Sequence, residues 1–132
     1  MNEKIQAIAP SVTLGITSKA KARSAEGAAV CNFAAGEPDF DTPAVIKQAA
    51  ADALARGCTK YAPSSGLPEL RAAIARKLET ENGIACTPDQ VVVCNGGKHA
   101  LFNVILALCN PGDEIVVPAP YWLSYPEMIR VA

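Results

Sequence analysis

Apolar residues follow two spacings along this chain, and the switch between them marks out its elements. Val91-Val92-Val93-Cys94, entered at Gln90, is an unbroken apolar run and reads as a buried strand. Gly97 to Cys109 reads as a helix, and Gly96-Gly97 separates it from the strand. Asn110-Pro111-Gly112-Asp113 reads as a turn, Glu114 to Val117 as a second buried strand, and Tyr125 to Ala132 as a helix with Pro126 near its start. An order of strand, helix, strand, helix requires crossover connections and a sheet with helices on its faces.

Upstream the pattern is mainly helical. Thr13 to Glu26 reads as a helix stopped by Gly27, and Ala28 to Phe33 as a short strand. Thr42 is the expected N-cap of a third segment, with Pro43 at its first position and Gly57 as its stop after Arg56. Val45, Ile46, Ala49, Ala53 and Leu54 give that helix its apolar face. Pro68 opens a further helix that reaches Asn82 before Gly83, with Leu70, Ile74 and Leu78 at i, i+4 and i+8. Residues 35–43 and 59–67 are loops dense in turn formers, and the first eleven residues read as an arm.

Composition narrows the options. The 132 residues suffice for one domain with a modest core. A net charge of −1 gives no electrostatic pull toward nucleic acid or a membrane surface. Cys31, Cys58, Cys86, Cys94 and Cys109 are odd in number and widely spaced, which argues against a disulfide framework or a zinc site. His99 is the single histidine, so no histidine-based metal cluster or triad can be assembled. Ala100 to Cys109 is too short to span a bilayer, and Met1 to Ala9 has no signal-peptide core. A cytoplasmic location is expected.

The candidate chemistry begins at Gly96-Gly97. The first N–H groups of a helix have no internal partner, and the helix dipole adds partial positive charge there, so an anion such as phosphate fits. Taken alone, the turn is equally a tight strand-to-helix connection with no ligand. It is neither a dinucleotide fingerprint nor a P-loop, because Lys98 is followed by His99. His99 reads as a packed or half-exposed histidine, and Arg71, Arg76 and Lys77 as a solvated helix face.

Three other segments accompany the turn. They are Ala35-Gly36-Glu37-Pro38-Asp39-Phe40, Thr59-Lys60-Tyr61-Ala62-Pro63 with Gly66 and Leu70-Arg71 after it, and Pro120-Tyr121-Trp122. Their order and spacing resemble the class I (fold-type I) pyridoxal-phosphate-dependent aminotransferases, in particular the aspartate aminotransferase group, from Pro10 to Glu127. The resemblance implies an α/β fold: an N-terminal arm plus the first part of the large domain of the pyridoxal-phosphate transferases. That part would be a truncated, mixed and mostly parallel sheet flanked by helices. Residues 1–44 would be the arm and a small-domain segment, and residues 45–132 the start of the cofactor-binding domain.

The resemblance also implies roles. Gly97 and Lys98 would bind the phosphate of pyridoxal 5′-phosphate, Tyr61 would reach the phosphate in a neighbouring subunit, and Trp122 would lie at the cofactor ring and near the substrate. Gly36 would face the substrate α-carboxylate. Lys98, with Thr13 at the mouth of the site, would face the distal carboxylate of aspartate or glutamate; the plain alternative is a solvated lysine and a helix-capping threonine. Members that accept prephenate carry a basic residue just before the proline matching Pro10, and Ala9 stands there. The implied enzyme is a homodimer with shared sites that moves an amino group between an amino acid and a 2-oxo acid.

The family's Schiff-base lysine has no match in these residues, so the 132-residue chain by itself is expected to be inactive. Two further readings remain open. One is another fold-type I enzyme, an aromatic or alanine-type aminotransferase or a lyase. The other is a truncated, non-catalytic partner protein.

Overall fold

Local capping chemistry sets the helix boundaries. In the computed structural model, which describes residues 3–34 and 36–132, helix α1 spans Glu3–Gln6 and α2 spans Val12–Ala25. Met1 and Asn2 of the expected arm, and Ala35 at the head of the loop expected over 35–43, lie outside the described residues. Ser11 caps α2, its hydroxyl accepting the Leu14 N–H at 3.4 Å, and Gly27 follows the helix with φ +86°. The cap is therefore Ser11, and Thr13 is the second helical residue.

Helix α3 spans Ala44–Ala55. The Pro43 carbonyl accepts the N–H of Lys47 at 3.1 Å, so Pro43 occupies the cap position expected of Thr42. Helix α4 runs Pro68–Asn82, and Gly83 ends it in the left-handed region at φ +67°. A proline tolerates the first turn and a glycine the left-handed exit, which is why both ends match the sequence expectation. A short 3-10 helix, Pro88–Gln90, occupies the entry to the expected strand. Helix α5 spans Gly97–Leu108 and α6 spans Ser124–Val131. Between them Asn110 and Asp113 close the expected turn: the Asn110 N–H donates to Asp113 Oδ2 at 2.7 Å, and the Asp113 N–H to the Asn110 carbonyl at 3.0 Å.

The expected strands are the main difference. Among the described residues no strand forms, and 28–33, 91–94 and 114–117 have no ladder partner. A strand exists only where neighbouring backbones exchange N–H···O bonds. Here Val93 donates its N–H to the Ser65 carbonyl, on a loop, at 2.9 Å. The run also has two unlike faces: Val91 is buried whereas Val92 is exposed.

The chain divides into two compact units. Residues 1–50 and 115–131 form one, and residues 51–114 with Ala132 form the other. In the first, α1 packs on α6, Met128 is buried, and Arg130 donates to the Ala7 carbonyl at 3.5 Å. In the second, α4 packs on the 3-10 helix around Ala75 and Val91. The less exposed face of α4 is Arg71, Ile74, Ala75 and Leu78, at i, i+3, i+4 and i+7, so it is turned from the expected Leu70 line.

Candidate functional site

The second unit contains the glycine turn, and its backbone is specific. The Cys94 carbonyl accepts the Gly96 N–H at 2.9 Å. Gly96 has φ +84° and ψ 167°, a region open essentially to glycine alone. The first bond of α5 runs from the Ala100 N–H to the Gly96 carbonyl at 3.2 Å. The N–H groups of Gly97, Lys98 and His99 therefore precede the helical ladder, at the positive end of its dipole. A Cβ added at Gly96 or Gly97 would meet no atom within 4 Å, so at Gly96 it is the backbone conformation and not crowding that calls for glycine.

Residues distant in sequence brace the segment that leads into this turn. Arg71, on α4, has a side chain only 15% exposed. Its Nε donates to the carbonyls of Pro88 at 2.9 Å and Val91 at 3.0 Å, and one terminal nitrogen meets Asp89 Oδ1 at 3.0 Å. Arg71 is thus a clamp and not part of a solvated face. Ser65 takes the Val93 N–H, and next to it Gly66 has φ +102°. A Cβ on Gly66 would lie 2.5 Å from Val93 Cγ2, so glycine is required there by conformation and by space.

His99 has a definite partner. The Asn95 N–H donates to His99 Nδ1 at 3.1 Å, so the third residue of α5 reaches back across the glycines. Neither Arg71 nor His99 stood out as functional in the sequence. The available signal for His99 was its position in the first turn of α5, from which a side-chain acceptor reaches back to the backbone before the helix. For Arg71 it was the spacing to Ile74, Ala75 and Leu78.

Lys98 and Tyr61 also belong to this unit, and both are exposed. Tyr61 lies in the loop before Gly66, whose N–H donates to the Pro63 carbonyl at 2.9 Å. A fully exposed phenol has a hydroxyl available to an incoming acceptor.

Thr13, Gly36 and Trp122 belong to the first unit. Thr13 is half-buried, and its carbonyl accepts the Thr17 hydroxyl at 2.9 Å. A Cβ at Gly36 would meet nothing within 4 Å. Its loop is shaped by the Ala34 N–H donating to Asn32 Oδ1 at 3.0 Å and by a Lys47–Asp41 ion pair at 3.2 Å. Trp122 packs edge-on against Tyr125, with ring centroids 5.7 Å apart, and stays half exposed. Among the described residues no cluster of three or more metal-ligating side chains exists, and no helix is long and apolar enough to cross a membrane.

Comparison with known proteins shows the family. The family model described as aminotransferase class I and II matches residues 28–132. The aspartate/prephenate aminotransferase of Thermus thermophilus is 50% identical over 132 residues, covering 100% of this chain and 34% of that protein. A bifunctional aspartate aminotransferase and glutamate/aspartate-prephenate aminotransferase of Petunia hybrida is 49% identical over the same length, 28% of its own. Among solved structures, the aspartate aminotransferase of Thermus thermophilus with maleate superposes with a TM-score of 0.95 at 50% identity, covering 99% of this chain and 34% of that one. The chain thus spans about a third of the length of the curated relatives it matches.

Proposed function

The chain belongs to the aminotransferase class I and II family, and on that premise we propose that it is the N-terminal part of a pyridoxal-phosphate-dependent, aspartate-type aminotransferase. The observation that carries the reading is the turn at Gly96-Gly97. It combines a glycine-only conformation with N–H groups ahead of the helical ladder.

The residues fit the cofactor's phosphate. Gly97 and Lys98 donate backbone N–H groups to its oxygens, and Tyr61 donates its phenol to the phosphate of a second copy's site without adding charge. Trp122 offers a flat half-exposed face to the ring, and Gly36 leaves room for a substrate carboxylate to approach its backbone. The Lys98 ammonium, with Thr13 assisting, meets the distal carboxylate of aspartate or glutamate. The relative solved with maleate supports this, because maleate is a dicarboxylate. Pyridoxal phosphate itself supplies the aldehyde that takes up the amino group and the ring that withdraws electrons from the α-carbon.

In this reading residues 1–44 are the arm and a small-domain segment, residues 45–132 open the cofactor-binding domain, and the sheet completes with chain beyond these residues. The enzyme is a cytoplasmic homodimer with shared sites. The lysine that bonds the cofactor aldehyde lies outside this chain, so the 132 residues alone are inactive.

The test is spectroscopic and kinetic. The full-length protein should show the absorption of bound pyridoxal phosphate and transaminate aspartate with 2-oxoglutarate. A protein that takes up no cofactor overturns the reading. Lys98→Ala should cost about 2 kcal/mol of preference for aspartate over alanine, the scale of losing one partner of a desolvated charge pair. Equal loss on both amino acids would instead favour an aromatic or alanine-type relative. Ala9 predicts poor use of prephenate, and a rate with prephenate equal to that with oxaloacetate overturns that point.

A further inference from the structure

The glycine turn has a side-chain support that the proposed phosphate chemistry does not itself require. His99 is the third residue of α5, and its Nδ1 accepts the Asn95 N–H at 3.1 Å. That bond spans Gly96 and Gly97, the two residues with the least intrinsic stiffness in the segment. Gly96 is also held from the preceding segment, by its N–H to the Cys94 carbonyl at 2.9 Å. Without the imidazole, Asn95 and Gly96 would have many backbone states, and the N–H groups ahead of the ladder would converge in only some of them. Each state excluded beforehand is ordering that a bound phosphate need not impose.

We propose that His99 is a positioning residue for the phosphate-binding turn: by accepting the Asn95 N–H it preorganises the Gly97 and Lys98 N–H groups for an oxyanion. The inference rests on the aminotransferase reading and deepens it. The role needs a neutral acceptor at the right reach, not a histidine as such. Glutamine at this helix position is a known acceptor for backbone N–H groups around the cap, so it should substitute. Leucine fills similar volume and accepts nothing.

The experiment compares the wild-type full-length protein with His99→Leu and His99→Gln. Apparent affinity is measured for pyridoxal phosphate and for pyridoxal, which lacks the phosphate. Amide hydrogen exchange at Asn95 and the melting temperature are recorded on the cofactor-free proteins. Losing one cap-type hydrogen bond should weaken pyridoxal phosphate binding about fivefold in His99→Leu. Pyridoxal affinity should stay within about twofold, because the effect acts through the phosphate. His99→Gln should restore both pyridoxal phosphate affinity and Asn95 protection. Equal weakening for both ligands, or no rescue by glutamine, overturns the positioning role and leaves a general packing effect. Unchanged affinity in His99→Leu overturns it as well. A wild-type protein that binds neither ligand overturns the aminotransferase reading, and this inference with it.

Discussion

The segment from Ser65 to His99 and the helix α2 are held in opposite ways. In the first, Arg71 bonds carbonyls 17 and 20 positions away, and Ser65 and Gly66 hold Val93. In α2 the bonds are local: the Ser11 cap, Thr17 to the Thr13 carbonyl, and Arg23 to Glu26. Its apolar residues remain open, with Leu14 69% exposed. Local bonds make α2 a helix but do not place it. The bonds of residues 65–99 fix both conformation and register, so the glycine turn carries its own scaffold. Helix α2, which carries Thr13, is held by the local bonds just described.

The strongest blow to this contrast is Gly66→Ala. Strain at φ +102° plus the contact with Val93 should cost about 3 kcal/mol in urea unfolding. Adding Val93→Ala should recover the steric part and leave the strain. A Gly66→Ala protein as stable as wild type would mean that the two segments are not held in register.

Arg71→Ala should cost about 2 kcal/mol, because the Pro88 and Val91 carbonyls lose a charged donor. Lysine should recover less than half, lacking the guanidinium's fixed fork. Asp89→Asn separates the carbonyl bonds from the ion pair. Asp89 is largely in solvent, so a change of about 0.5 kcal/mol or less is expected in the same denaturation series.

On the other side of the comparison, Ser11→Ala should remove about 1 kcal/mol of helix stability, read as fraying of α2 by amide exchange, with cofactor affinity unchanged. The smallest effect is expected for Arg23→Ala, whose partner Glu26 is also exposed. Thermal unfolding should shift by an amount equivalent to about 0.5 kcal/mol or less. Large effects in α2 together with small ones at Gly66 and Arg71 would invert the contrast.

The sequence by itself determined the ends of α4, from Pro68 to Gly83, the start of α5 at Gly97, and the family. These are properties of neighbouring residues: a proline without an N–H, a glycine with positive φ, N–H groups that no earlier turn can satisfy. Only the tertiary structure paired the Val93 N–H with the Ser65 carbonyl. It also turned α4 onto its Arg71 face and set His99 behind the turn. Those outcomes depend on which distant backbone group comes within about 3 Å of a given donor. Apolar spacing along the chain carries no such information. Arg71 and Arg76 look alike in sequence, and they differ because two carbonyls lie within reach of Arg71.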